Sequence, residues 1–196
     1  DTDERRRFAQ VSHEYLIEQL QFQSFSSSTS MELNFNHPVK ELIWTSSKSP
    51  PNTSDGSFLG QSIDNFIPNG GPGNSSHLPD QIALSRCRIP DNLSGDFHIK
   101  LNGHDRFKER DAKYFTRTQV WEHHTGTGSM ISSTDAIAVY SFALKPEEYQ
   151  PSGSCNFSRI DNAVLKASVS GDYYVYAVNY NVLRIMSGMG GLAYSN

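Results

Sequence analysis

Alternation of apolar and polar residues constrains this chain more than any other feature. Met31, Leu33 and Phe35 alternate with Glu32, Asn34 and Asn36, and Phe97, Ile99 and Leu101 alternate with His98 and Lys100. Leu165, Ala167 and Val169 alternate with Lys166 and Ser168, and in the run Tyr173 to Met186 the residues Tyr174, Tyr176, Val178, Tyr180 and Val182 share one face. Successive side chains of an extended strand point to opposite faces, so this pattern buries one face and wets the other. Val39 to Trp44, after a His37-Pro38 turn, reads as another strand. Ala136 to Leu144 is apolar on both faces and reads as a well-covered inner strand. Asn102-Gly103 and Gly171-Asp172 supply short turns. Many short strands, long loops and little helix predict an antiparallel sandwich.

One segment has the helical period. Between Glu4 and Leu20, Phe8, Val11, Tyr15, Leu16 and Leu20 recur at helical spacing, with Asp1 and Glu4 placed for a capping box. The Gln/Ser-rich stretch 21–30 follows. Residues 45–80 are rich in Ser, Pro, Asn and Gly, a length uncommon for a loop inside a compact domain. Its Phe58, Leu59, Ile63, Phe66 and Ile67 predict an ordered excursion. The run Ile137 to Asp161 starts as an apolar strand, turns polar through Pro146 and Pro151, and returns toward a second strand.

A length of 196 residues suffices for one sizeable core. A formal charge of -4 leaves no basic footprint, so direct nucleic-acid binding is not expected. Arg5, Arg6 and Arg7 are the dense basic run, and beside Asp1, Asp3 and Glu4 they read as a solvated helix face. Cys87 and Cys155 are too few for a disulfide framework and are expected to be free, mostly buried thiols in a reducing compartment. The best candidate for a membrane span, Tyr173 to Met186, is interrupted by Asn179, Asn181 and Arg184, so membrane insertion is not expected. With no starting methionine, signal peptide or transit peptide, the chain is expected to be soluble and to begin within a longer polypeptide.

Candidate chemistry is sparse. Glu122-His123-His124 is the most tempting metal cluster, but adjacent residues diverge on a strand or helix, and no further ligand follows at a recognisable spacing. A jelly-roll metal enzyme of the cupin type carries His-x-His, which His98 lacks at position 100. His98 reads as an outward strand residue and His37 as part of a turn. Neither a G-x-S-x-G elbow nor a cysteine-protease context around Ser154-Cys155-Asn156 is present. The terminal Gly188-Met189-Gly190-Gly191 is followed by no helix that would receive a phosphate, and reads as a flexible tail. Asp105 to Lys113 reads as a solvated turn, with Glu109 and Lys113 spaced to pair if it is helical. Sequons begin at Asn52, Asn74, Asn92 and Asn156, and matter only for a chain that enters the secretory pathway. No catalytic, cofactor-binding or metal-binding residue is assigned.

The wording of several segments is more distinctive than their chemistry. FAQVSHEYLIEQLQ at 8–21, NHPVKELIW at 36–44, IKLNGHDRF at 99–107, YSFALKPEEYQPSGSCNFSRID at 140–161 and the closing NYNVLRIMSGMGGLAYSN resemble the major capsid proteins of nucleocytoplasmic large DNA viruses, most closely the phycodnavirus type. The matches run from the first helix to the last residue, with 45–80 the main unmatched part.

The resemblance implies an all-β, antiparallel, eight-stranded jelly-roll sandwich with long loops and one N-terminal connecting helix. Residues 1–24 would be the helix leading from a missing upstream jelly roll, and 25–196 the C-terminal jelly-roll domain. It further implies a structural subunit, not an enzyme: the second half of a double jelly roll that forms a homotrimeric, pseudo-hexagonal capsomer in an icosahedral shell. The partners would be copies of itself, neighbouring capsomers and minor capsid proteins. The setting would be the virion, assembled late in the host cytoplasm. Relatives can be glycosylated on outward loops, which keeps Asn52 and Asn74 as weak modification candidates. No cofactor is implied. The rival readings are a glycan-binding jelly-roll module, suggested by nine tyrosines and long loops, and a cupin-like metal enzyme using Glu122, His123 and His124.

Overall fold

A computed structural model of the chain describes residues 2–47, 93–125, 135–187 and 189–194. A helix, α1 (Thr2–Gln10), leads into a 20-residue strand, β1 (His13–Glu32). Then follow β2 (Pro38–Ser47), β3 (Asp96–Leu101), β4 (His104–Asp105) and β5 (Arg110–Asp111). A π-helical turn (Tyr114–Thr118) runs into α2 (Gln119–His123), and β6 (Ile137–Ser141) and β7 (Cys155–Asn156) come next. After a 3-10 turn (Phe157–Arg159), β8 (Ala163–Met186) and β9 (Met189–Leu192) close the order. The strand pairs are antiparallel.

The nine strands among the described residues form one hydrogen-bonded network ordered β4-β3-β8-β2-β6, with β1 and β9 on β8, β5 on β3 and β7 on β2. Its axis is β8, which changes partners along its length. The first part, Ala163 to Ala167, pairs with β3, and the later part, Asp172 to Asn179, pairs with β2. Beside it β1 follows from Met31↔Leu165 to His13↔Ile185, through register shifts at Phe25/Ser28 and Ser28/Ser30. Ser27 takes a φ of 47° there, and its N–H donates to the Asp172 carboxylate at 2.8 Å. These irregularities bend a strand pair and increase its twist, so a single network curls over itself and encloses a core. Gly171-Asp172 is therefore a bend within β8, not the turn the sequence predicts.

The core shows the curl directly. Met31, Leu165 and Ile99 stand in one row across β1, β8 and β3, each fully buried. Opposite them lie Leu42 and Trp44 of β2 and Val175 and Ala177 of β8. Trp44, Phe97, Phe115 and Tyr173 fill the space between, with ring centroids 5.1 to 6.2 Å apart. The antiparallel jelly-roll class holds, with nine strands among the described residues because β4, β5 and β7 are short ladder fragments.

Three local expectations need correction. The helix stops at Gln10, and Tyr15, Leu16 and Leu20 lie on β1, where continuous pairing with β8 overrides an ambiguous local period. Gln19, Gln21 and Gln23 mark the alternation: the Gln23 and Gln21 side-chain oxygens accept the N–H groups of Asn34 and Asn36, holding residues 33–36 extended. On β8 the buried face is Tyr173, Val175, Ala177 and Asn179, not the face of Tyr174 and Tyr176. Finally, β6 is the end of the ordered path, not an inner strand. Its free edge is covered by α2, where the Gln119 side chain accepts the Ser141 N–H at 3.2 Å. Burial by a helix and burial by a sheet leave the same apolar signature in sequence.

Candidate functional site

The residues singled out from sequence do not assemble into a reaction centre. Asn52, Asn74, Asn92, Cys87, Gly188 and most of 45–80 lie outside the described residues. Asn156 is exposed, but its side-chain oxygen accepts the Ser158 N–H at 3.1 Å and caps the 3-10 turn. Cys155 carries a free, half-buried thiol whose pKa is raised by burial. Gly190 and Gly191 pair with β8 as part of β9 rather than forming a tail. Asp105 to Asp111 is not helical, and Glu109 lies 4.0 Å from His98 instead of pairing with Lys113. Glu122 is exposed, and His123 is drawn elsewhere, its Nδ1 lying 3.0 Å from the Leu144 carbonyl oxygen. No group of three His, Cys, Asp or Glu among the described residues is arranged to hold a metal ion.

The polar cluster that does form was missed in sequence. A register shift between Val39 and Glu41 inserts Lys40 as an extra residue in β2 opposite β8. Lys40 and Glu41 are both buried; Lys40 reaches the covering loop 142–153 between β6 and β7, and Glu41 reaches His124 at the end of α2. Lys40 Nζ donates to the Pro146 carbonyl oxygen and to Glu18 of β1, each at 2.6 Å. Glu41 Oε2 lies 3.0 Å from His124 Nε2, in ion-pair range but off the line of a good hydrogen bond. On the other side of the ring, His124 Nδ1 meets Glu147 Oε1 at 3.0 Å, and Glu147 also accepts the Thr125 N–H at 3.1 Å. Glu41 is the main cause of a raised His124 pKa, with burial opposing and Glu147 adding. The Glu147 pKa is lowered, first by the Thr125 hydrogen bonds and then by His124. These charges pair with one another and fasten a loop.

A cleft of about 430 Å³ lies elsewhere, lined by Leu16, Pro38, Tyr180, Val182 and Tyr194 with His37, Asn156, Ser158, Arg159 and Asn181. Arg159 is its sole fully charged lining group, and neither Glu41 nor His124 contributes. A nucleophile, base and oriented partner are not brought together there. What the surface does offer is apolar area. Leu16, Leu20 and Phe22 of β1 are more than half exposed, and Met186, Met189 and Tyr194 extend that side. Trp121 of α2 and Leu144 and Tyr149 of the 142–153 loop are exposed as well. Exposed apolar area, rather than a polar cleft, is thus what this surface presents to a neighbour.

The comparisons with known proteins agree with that picture. Residues 4–191 match the family described as large eukaryotic DNA virus major capsid protein. The chain is 45% identical to the major capsid protein of Pyramimonas orientalis virus and 40% identical to that of Phaeocystis pouchetii virus, over its whole length. It spans about half of those relatives, 46% and 51% respectively. Among solved structures it resembles a chain of the PBCV-1 virus capsid with a TM-score of 0.76 and 36% identity, covering all of this chain and 55% of that one. These likenesses lend no support to the glycan-binding or metal-enzyme readings.

Proposed function

This chain belongs to the large eukaryotic DNA virus major capsid protein family, and on that premise we propose that it is a structural part of an icosahedral viral shell, without catalytic activity. The observation that carries the proposal is the full-length likeness to a capsid chain of which it covers 55%. That proportion also supports reading it as one of two jelly rolls in the complete subunit, the second, entered through α1. The architecture suits the role: a curled sheet with an aromatic core gives rigidity, while exposed apolar groups on β1, α2 and the 142–153 loop are available for neighbours. A contact repeated around a three-fold axis needs two different, complementary patches rather than one self-complementary patch. The partners proposed are copies of the same subunit in a homotrimer, then adjoining capsomers and minor capsid proteins, within a virion assembled late in the host cytoplasm.

Mass in solution and negative-stain images of the full-length protein bearing this sequence test the proposal. Trimers of hexagonal outline are expected. A protein that stays monomeric at high concentration and enters no assembly overturns it.

A further inference from the structure

Two charged side chains fasten the loop 142–153, beside the His123 contact to Leu144 and the backbone hydrogen bonds to Lys40, and one of them requires a proton. The first is Lys40, whose ammonium group holds the Pro146 carbonyl oxygen and Glu18. The second is His124, with one ring nitrogen 3.0 Å from Glu147 and the other 3.0 Å from Glu41. A neutral imidazole has a single N–H, so one of the two carboxylates would then face a ring lone pair. Only the imidazolium presents N–H groups to both.

The surroundings sharpen this requirement. Glu41 and Lys40 face the site from β2, Glu18 from β1 and Glu147 from the loop. Lys145 and Glu148 of the loop pair with each other at 2.9 Å, and on α2 His123 is engaged by the Leu144 carbonyl while Glu122 is exposed. With His124 charged, Lys40 and His124 offset two of the three carboxylates Glu18, Glu41 and Glu147. With His124 neutral only Lys40 remains, and the Glu41 side chain, 8% exposed, has little access to water. An uncompensated buried carboxylate is costly, so the site resists loss of the proton or opens to admit solvent.

We propose that His124 is a proton-operated fastener: protonated, it holds the loop 142–153 and the end of α2 against β2, and on deprotonation the loop is released. The raised pKa of His124 agrees in sign. A histidine whose folded value lies above its unfolded value of about 6.5 contributes stability fully below that pH, and loses it as pH rises through the folded value. The loop carries Leu144 and Tyr149, and α2 carries Trp121, all largely exposed. If the assembly reading above holds, the contact surface at this end is ordered only while His124 is charged, and shell formation weakens on the alkaline side.

Amide hydrogen exchange of the full chain at pH 6 and pH 9, corrected for intrinsic base catalysis, tests the fastener. Protection in 142–153 is expected to fall by roughly tenfold or more in the wild type, the effect of losing a charge-assisted hydrogen bond, while β3 stays protected. In His124→Gln the loop is expected to be weakly protected at both pH values. An NMR titration of the His124 ring needs no variant. A midpoint at or below about 6.5, or wild-type loop protection that does not change with pH, overturns the proposal. The two readings fail separately: a monomer with the pH response intact refutes only the assembly, and a trimer with flat exchange refutes only the fastener.

Discussion

Leu165 and Leu20 are the same residue type on long paired strands, yet the fold treats them oppositely. Leu165 is fully buried at the centre of the Met31–Leu165–Ile99 row, whereas Leu20 is 63% exposed. Leu165→Ala removes three carbons, worth about 2–2.5 kcal/mol of transfer free energy at ~0.8 kcal/mol each. The flanking strands are held by their own ladders to β8 and cannot close the space. A residual cavity should therefore raise the total to about 3–5 kcal/mol. For a chain of this size that lowers Tm by roughly 10 °C. Leu20→Ala should cost under about 0.5 kcal/mol, as for other surface sites. Urea titration followed by circular dichroism, with a thermal melt, reads both. A Leu165→Ala cost below about 1 kcal/mol, or a Leu20→Ala cost that matches it, would refute the assigned register and with it the placement of the core.

Lys40→Met keeps the apolar stem but removes the contacts to Pro146 and Glu18. Because Glu18 regains water, the loss should be about 2 kcal/mol, with faster proteolysis within 142–153; an unchanged melt and cleavage rate would contradict this. Gly153 has a φ of 143°, and an added Cβ would sit 2.9 Å from the Phe142 carbonyl oxygen. Gly153→Ala is thus expected to cost about 2 kcal/mol by thermal melt, against about 1 kcal/mol for Gly103→Ala, where a Cβ meets open space. Asn156→Ala removes the cap of the 3-10 turn and should cost about 1 kcal/mol in the same assay, while Asn156→Asp, which keeps the accepting oxygen, should cost less.

Much of the fold was legible because period-2 patterning is a local property. Met31, Leu33 and Phe35 are buried as their alternation with polar neighbours requires, even though the last two lie beyond the end of β1. The same holds for Phe97 and Ile99 of β3. The Asn102-Gly103 turn, with φ values of 51° and 80°, connects β3 and β4 as its residue types demand. Failures arose where two local readings were equally good and a distant partner decided. Tyr15 to Leu20 fits a helix as well as a strand until β8 is supplied. Tyr174 and Tyr176 are larger than Val175 and Ala177, yet the smaller set is buried, because the inner space is already filled by Trp44, Phe97 and Tyr173.

The charged cluster was illegible for a sharper reason. Adjacent residues on a regular strand face opposite ways, so Lys40 and Glu41 cannot serve one site under the pattern that located β2. A single extra residue opposite β8 lifts that restriction, so Lys40 reaches the covering loop and Glu41 reaches the His124 that holds it. The same irregularity leaves the Lys40 carbonyl free to accept the N–H groups of Phe142 and Ala143, at 2.9 and 3.2 Å, so the loop is pinned by backbone where it leaves β6. Bulges are positional devices that re-aim side chains, and this one turns an ordinary strand pair of charges into one anchor of the 142–153 loop, Lys40, and the partner of the other, Glu41. The Glu122-His123-His124 triplet misled for the complementary reason. His124 is the position of the three that matters, and its partners come from β2 and the loop rather than from its neighbours in sequence.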